Sequence, residues 1–408
     1  MQLWVYVVRR TMLIVPVVIG VMTITFALVV AVPTGERICS YYQANPRENP
    51  CSQYVPCPGN PSQLCSNPAY TKALHALGYD RPVPVQWAFY MYNALTFNWG
   101  YVSPTSTVGD GNSGLPALKG QSVTSVLGTF LPYTIELALL SLFFTLIISI
   151  PLGNLSAVYR NRPIDQFARI MSFSGYALPT FILGAVVLAA AASLLSGGGT
   201  RSPICSGGTG FLEFYGSWPV PNCWMWGSGL TSTGYPSWLI YGYQSTPTGF
   251  PTIDALIHGD GWLALDTLAR IILPALVIAY GTIATLLRFV RNSMLEVMNL
   301  DFVRTARAKG LPESKVVKKH AGRNSLNVTV TILGLTFAFF ISGFPIIESV
   351  FNLWGVGRIF AYALVQSGGT YDFGLIFGTT ILFTYLVVVA NLIVDVTYSL
   401  LDPRVRLE

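Results

Sequence analysis

Basic side chains cluster in one short stretch of a chain that otherwise holds few charges. Charged residues make up 10% of the sequence, yet "DFVRTARAKGLP" (301–312) contains Arg304, Arg307 and Lys309. Guanidinium groups form charge-assisted hydrogen bonds with carboxylates and carbonyl oxygens, and basic groups also attract anionic lipid. The stretch therefore indicates either docking of a partner protein or contact with a membrane surface.

The same stretch has the pattern of a short amphipathic helix. On a 100° wheel Phe302, Val303 and Ala306 share one side, and Arg304 and Arg307 project from another. Gly310 and Pro312 follow and are expected to end the helix. A proline disfavours the helical conformation in the residue before it, and a glycine permits a sharp turn of the backbone.

The composition is that of a membrane protein. The chain has 408 residues, of which 52% are hydrophobic, and its mean hydropathy is +0.53, which is too apolar for a soluble globular domain. A helix needs about 20 uncharged residues to cross about 30 Å of hydrocarbon. Six stretches free of charged residues predict six transmembrane helices: 11–32, 137–159, 170–195, 271–287, 324–347 and 373–394.

The first of these stretches has an alternative interpretation as a cleaved signal peptide, because Arg9 and Arg10 precede it. Its apolar core is longer than the roughly 7 to 15 residues of a signal peptide, and Pro33 interrupts a small-residue cleavage site. We therefore expect it to be the first transmembrane helix.

The distribution of charge predicts the orientation, because Lys and Arg are enriched on the cytoplasmic side of membrane proteins. With both termini inside, 16 of the 24 basic residues and 6 of the 18 acidic residues fall on the cytoplasmic side. The net charge is then about +10 inside and −4 outside, and their sum is the chain's +6. The membrane topology explains the net positive charge, so we expect no nucleic-acid partner.

All six cysteines fall on the outer side in this orientation. An even number of cysteines in an oxidising compartment indicates disulfides, within one loop or between the two large outer loops. Metal binding is the alternative, but no CxxC pair or nearby histidine supports it, so we expect no metal. The disulfide candidates are Cys39, Cys51, Cys57, Cys65, Cys205 and Cys223.

The spans and loops predict an all-α membrane protein with large outer caps. The outer loops are rich in Pro, Gly, Ser, Thr and aromatic residues, which indicates irregular, disulfide-tied surface structure. Their Trp and Tyr side chains suit stacking on a sugar, contact with a partner, or anchoring at the lipid headgroups. The predicted segments are 1–32 with the first span, the outer loop 33–130, 131–195 with two spans, the outer loop 196–268, and 269–408 with three spans and a cytoplasmic loop at 292–323.

Three carboxylates lie at or beside the ends of predicted spans. Glu136 and Glu348 are expected near the outer ends, and Asp395 near the inner end of the last span. An ionisable group in hydrocarbon is costly unless it is paired or hydrated, so each is a candidate for the transport pathway. The alternatives are hydrated carboxylates for the first two and a structural ion pair for Asp395. Prolines 132, 179, 274 and 345 are expected to kink the spans or their ends.

The sequence contains no pattern typical of an enzyme. GxxxxGK[ST], GxSxG and HExxH are all absent, so we expect no catalytic residue, no cofactor and no ATP binding by the chain itself.

The basic stretch and several others together resemble a known family. "DFVRTARAKGL" followed by "KKHAGRNSL" is similar to the EAA loop in permease subunits of ABC importers, specifically the B-type subunit of the dipeptide/oligopeptide group. In place of Glu-Ala-Ala it reads Arg304-Thr305-Ala306, a variant that the peptide group uses. Further matching stretches are "LPYTIELALLSLFFTLIISIPLGNLSAVYRN", "SGYALPTFILG", "ESVFNLWGVGRI" and "NLIVDVTYSLLDPRVR".

The resemblance implies a type I ABC importer permease fold in the cell membrane, with multiple spans. It implies four kinds of partner: a second, C-type permease subunit, two cytoplasmic ATPase subunits, an extracytoplasmic substrate-binding protein and membrane lipid. It also implies that the basic helix is the coupling helix that docks on the ATPase, formed by Arg304, Thr305, Ala306, Arg307, Ala308, Lys309 and Gly310.

The substrate that the resemblance implies is a dipeptide or oligopeptide. Importers of oligosaccharides and of nickel chelates use the same permease type, and the outer loops are longer than the family leads us to expect, so these alternatives stay open. Two alternatives come from other classes of protein. One is a secondary transporter coupled to proton flow through Glu136 or Asp395, and the other is a receptor with ligand-binding outer caps.

Overall fold

The structure is a computed structural model. It describes residues 3–41, 52–57, 60–103, 118–195, 248–259, 261–322, 344–351, 353–365 and 371–401, with a few single positions between 324 and 340.

Helices form most of the described chain, which also contains one antiparallel β-hairpin. The hairpin pairs β1 (Tyr54–Cys57) with β2 (Asn60–Ser66). The helices are α1 (Leu3–Ala31), α2 (Thr34–Tyr41), α3 (Pro68–Ala76), α4 (Val83–Leu95), α5 (Val123–Val158), α6 (Pro163–Ala177), α7 (Thr180–Leu195), α8 (Pro251–Ile257), α9 (Gly261–Val297), α10 (Asp301–Ala308), α11 (Glu313–Lys315), a π-helical turn (Val316–Ala321), α12 (Pro345–Val350), α13 (Val356–Leu364) and α14 (Phe373–Leu401).

Among the described residues, three helices are long and apolar enough to cross a membrane: α5, the segment Thr267–Val297 of α9, and the segment Phe373–Val396 of α14. The pair α6 and α7 is a fourth candidate if it counts as one bent span. The first predicted span falls in α1, whose described apolar part is Val15–Ala31. The fifth, 324–347, lies largely outside the described residues, so the six-span topology stays a prediction.

The third predicted span is two helices rather than one straight helix. The axes of α6 and α7 meet at 105°, and Pro179 lies in the short break between them. Leu178 adopts an extended conformation, as the residue before a proline tends to, and Pro179 has no N–H to continue the helical ladder. The kink expected at this proline is present as a full break.

The long helices extend beyond the uncharged stretches that predicted them. Helix α5 begins at Val123 rather than near residue 137, and α9 begins at Gly261 rather than near 271. A charged side chain limits how deep a helix lies in hydrocarbon, but it does not interrupt the backbone hydrogen bonds that propagate the helix. Charge therefore locates a membrane boundary better than it locates a helix end.

The chain divides into two units, and the first comprises residues 1–12, 133–353 and 386–408. One of its apolar cores contains Leu137 of α5, Ala275 and Ile278 of α9, and Phe351 beside α12. Close helix packing in this unit depends on glycines. A Cβ on Gly153 of α5 would lie 2.7 Å from Cγ1 of Val290, which no side chain arrangement normally allows.

The second unit comprises residues 13–132 and 354–385, and it is more regular than predicted. The described part of the predicted outer loop, which was expected to be irregular, contains the helices α2, α3 and α4 and the hairpin. The hairpin is also a departure from an all-α architecture. Helix α4 buries Tyr90, Met91 and Ala94, and the rings of Trp99 and Tyr385 stack with centroids 6.2 Å apart. The prediction was wrong here because turn-forming residues mark the ends of elements as well as irregular loops.

We expect Gly175→Val to destabilise the contact between α6 and α9. A Cβ at Gly175 would overlap the Cβ of Ala284, so the added side chain forces the helices apart at a cost of about 1–3 kcal/mol. The measurement is the Tm of the purified protein. Gly128→Val in α5 is the matched control, because a Cβ at that position would have no atom of another described segment within 4 Å. An equal Tm decrease in both variants would contradict this explanation.

Candidate functional site

The basic stretch forms the helix α10. Of the three residues predicted on its apolar side, Val303 and Ala306 are buried, whereas Phe302 is exposed. Val303 has no exposed surface and Ala306 is 5% exposed. They pack in one core with residues at the ends of α5 and α9 and in the π-helical turn: Ala157, Met294, Val297, Val316 and Ala321. The ends of α5 and α9 are thus packed against the buried side of α10.

The opposite side of α10 is open to solvent. Arg304, Thr305, Arg307, Ala308 and Lys309 are exposed, as is Gly310 after them. Arg304 approaches Asp301 at 3.5 Å, but both side chains are largely exposed, and such pairs contribute little. The guanidinium of Arg304 is therefore available to a partner.

Gly310 ends α10 in the geometry of a Schellman motif. Its φ is +75°, in the left-handed region that side chains disfavour. The N–H of Gly310 donates to the carbonyl of Arg307 (2.9 Å), and the N–H of Leu311 donates to that of Ala306 (3.4 Å). Leu311 also packs in the core beneath α10, so the chain turns back as soon as the helix ends.

Arg307 has a partner within the chain, which the sequence did not indicate. Its Nη2 donates to Oε1 of Glu313 (2.6 Å) and its Nε to Oε2 (3.1 Å), a bidentate pair that joins α10 to α11. The hydrogen bonds from Arg307 hold the pKa of Glu313 below its ordinary value, so the pair is ionised at neutral pH. Arg304 and Arg307 were both expected to bind a partner protein. The structure shows that Arg307 forms an ion pair within the loop and stabilises it.

A second charged cluster holds α6 against α9, and sequence reasoning missed it. Asp165 is fully buried and accepts hydrogen bonds from Nε of Arg291 (2.7 Å), Nη2 of Arg169 (2.7 Å) and the backbone N–H of Asn161 (2.9 Å). In the sequence, the arginines of this region indicated only which side of the membrane is cytoplasmic. A proline followed two residues later by an aspartate, at a helix start, was the available local signal, but nothing local pointed to Arg291.

The three carboxylates beside the spans have different surroundings. Glu348 is fully buried and accepts a hydrogen bond from Oγ1 of Thr134 (3.0 Å), so the hydrated carboxylate expected as one alternative is wrong for this residue. Glu136 is half-buried near Thr252 and Asp254. Asp395 is half-buried in α14. A role for these carboxylates in the transport pathway stays a prediction.

Cys57 and Cys65 form a disulfide that links the two strands of the hairpin. Cys39 lies in α2, and Cys51, Cys205 and Cys223 are outside the described residues. Within the described part of the chain, no group of three or more His, Cys, Asp or Glu residues has the arrangement of a metal site.

Known transport proteins resemble the chain over most of its length. The family model described as binding-protein-dependent transport system inner membrane component matches residues 149–407. A probable D,D-dipeptide transport system permease protein of Escherichia coli K12 is 32% identical over 85% of this chain and 89% of its own length. An oligopeptide transport system permease protein of Bacillus subtilis 168 is 29% identical over 98% and 99%, and a dipeptide transport system permease protein of E. coli K12 is 28% identical over 98% of each.

Apolar helices of spanning length and these relatives define a membrane transport permease, located in the cell membrane. The chain belongs to the family of binding-protein-dependent transport system inner membrane components. The sequence-based prediction of such a permease is confirmed, and α10 lies within the matched residues.

Proposed function

We propose that the chain is one of two membrane subunits of an ATP-driven importer of dipeptides or oligopeptides. Its partners are then a C-type permease subunit, two cytoplasmic ATPase subunits and an extracytoplasmic substrate-binding protein, and the chain itself performs no catalysis. The relatives named above are dipeptide and oligopeptide permeases, and this similarity supports peptides over oligosaccharides or nickel chelates as the substrate.

The observation that carries the proposal is the two-sided structure of α10. Its exposed side presents basic and small side chains to a partner, and its buried side packs on the ends of α5 and α9. Packed interiors transmit displacement because they are as dense as organic crystals. Movement of an ATPase bound at Arg304 would therefore be passed through Val303 and Ala306 to the long helices.

The Arg307–Glu313 pair and the Gly310 turn support the same role. A coupling element must hold its shape while force passes through it, and both contacts fix the exit of the chain from α10. Alternating access then follows from the rocking of the two permease subunits around the substrate path.

A proton-coupled secondary transporter is the alternative from another class, and the family does not favour it, because its members belong to binding-protein-dependent systems. The two are distinguished by uptake into proteoliposomes holding constant ATP in the presence of a protonophore. Uptake of labelled dipeptide that persists supports the ATP-driven importer, and uptake that stops supports proton coupling.

We expect Arg304→Glu to reduce the amount of ATPase that co-purifies with the permease at least about ten-fold. A reversed charge in an interface commonly costs more than the roughly 1.4 kcal/mol of a ten-fold change. Internal stability is expected to change little, because the side chain is 71% exposed. Lys72→Glu is the control: it is the same charge reversal at an exposed position of α3, on the predicted outer side. Unchanged co-purification of the Arg304→Glu protein would count against docking at α10.

A further inference from the structure

A basic cleft lies between α6 and α9, apart from the exposed face of α10. Its volume is about 520 Å³. Four arginines line it, two of which, Arg169 and Arg291, share the carboxylate of Asp165. Arg160 and Arg288 are exposed, and no ion pair to either occurs in the described part of the chain. Four guanidiniums and one carboxylate leave a net charge of +3 around the cleft.

A buried hydroxyl in the same cleft has no hydrogen-bond partner among the described residues. Ser172 lines the cleft and is 7% exposed, yet its Oγ forms no hydrogen bond within the part of the chain that the structure describes. Burying an unpaired hydroxyl is costly, so this position is suited to a ligand that supplies an acceptor. Together with the exposed guanidiniums of Arg160 and Arg288, the hydroxyl points to an anion with several oxygen acceptors, which is the chemistry of a phosphate group.

Apolar side chains beside the cleft indicate where that phosphate comes from. Phe173 and Tyr176 line the cleft, and both are more than half exposed, as are Phe167 and Ile170 on the same helix. The cleft also lies near the carboxyl end of α9, a helix of membrane-spanning length. A phosphate flanked by exposed aromatic and aliphatic groups at the end of a span matches a lipid headgroup with its acyl chains, whereas a free phosphate has no use for them.

We propose that this cleft binds the headgroup of an anionic phospholipid. The phosphate accepts hydrogen bonds from Arg160, Arg288 and Ser172, and the acyl chains lie along Phe173 and its apolar neighbours on α6. Occupancy joins α6 to α9 beside the Asp165 cluster, so the lipid stabilises the same contact from outside.

The test is the Tm of the purified full-length protein in detergent, titrated with phosphatidylglycerol, phosphatidylcholine or inorganic phosphate. Phosphatidylglycerol is expected to raise the Tm by about 3 °C at concentrations near 100 times its Kd, and the other two are expected to raise it far less. Arg288→Gln and Ser172→Ala are each expected to remove most of the phosphatidylglycerol increment. Lys72→Gln, at an exposed basic position of α3 outside the cleft, is the control and should retain it.

Three results would overturn the proposal. An equal shift with inorganic phosphate would identify a general anion site. Equal shifts with both lipids would identify detergent exchange without headgroup recognition. A phosphatidylglycerol increment that disappears when the ATPase and the second permease are present would mean that a protein surface covers the cleft. Because Arg288 has no internal ion pair among the described residues, its replacement is not expected to impair folding, and Ser172→Ala provides a second, smaller change.

Discussion

Replacing Gly310 with proline is expected to reduce ATP-driven uptake by the assembled transporter by at least about ten-fold, while the protein remains in the membrane. Proline holds φ near −65°, whereas Gly310 has a φ of +75°. The substitution also removes the N–H that donates to the carbonyl of Arg307. The end of α10 must then unwind, at a local cost of about 3 kcal/mol or more, and the docking surface loses its shape.

The matched control for this substitution is Gly259→Pro. Gly259 has a φ of +76°, and its N–H donates to the carbonyl of Leu256, three residues earlier, as that of Gly310 does to Arg307. It lies on the predicted outer side, so its replacement strains a similar turn without touching α10. Gly310→Asn keeps the N–H and tolerates the left-handed conformation, and it should retain most uptake. Equal loss in Gly259→Pro and Gly310→Pro would contradict a specific role for α10.

The form of α10 could be predicted because it depends on local sequence. Apolar and basic residues on different sides of a helical wheel over eight positions, followed by Gly310 and Pro312, predict a short helix and its exit. The structure agrees closely: the helix spans Asp301–Ala308, buries Val303 and Ala306, and ends in a left-handed glycine.

The contacts that hold α10 and its neighbours could not be predicted, because they join residues distant in sequence. Asp165 and Arg291 are 126 positions apart, and no local pattern pairs them. Arg307 and Glu313 are six positions apart, but α10 ends between them, so helical periodicity does not relate them. The same limit applies to α8 and the helices of the first outer loop, where apolar faces are short and the turn-forming residues dominate the composition.

Two sets of contacts with different chemistry hold the ends of the long helices in the first unit. Below α10 the contacts are apolar, with Val303 and Ala306 packed against Ala157 and Met294. Beside it, α6 and α9 are joined through Asp165. Apolar contacts tolerate sliding, whereas a bidentate ion pair has a defined geometry. We therefore expect the Asp165 cluster to determine which parts of the unit move as one body when α10 is displaced.

Replacing Asp165 with alanine is expected to lower the free energy of unfolding by about 3 kcal/mol. The substitution leaves Arg291, whose side chain is 15% exposed, without its carboxylate, and breaking a buried ion pair commonly costs about 3–5 kcal/mol. The lower end of that range applies because Arg169 is 46% exposed and regains water. The measurement is chemical or thermal unfolding of the purified protein in detergent, in which the midpoint of the unfolding transition should decrease.

A second variant separates the lost ion pair from a general effect of the substitution. Asp165→Ala combined with Arg291→Leu removes the uncompensated charge, and it should recover part of the stability because the remaining groups are apolar or hydrated. Asp301→Ala is the surface control, since that carboxylate is 97% exposed and its pair with Arg304 contributes at most about 1 kcal/mol. If Asp165→Ala unfolds at the same midpoint as Asp301→Ala, the cluster does not hold α6 to α9. If the double variant is less stable than Asp165→Ala alone, the guanidinium of Arg291 stabilises the fold by contacts other than its ion pair.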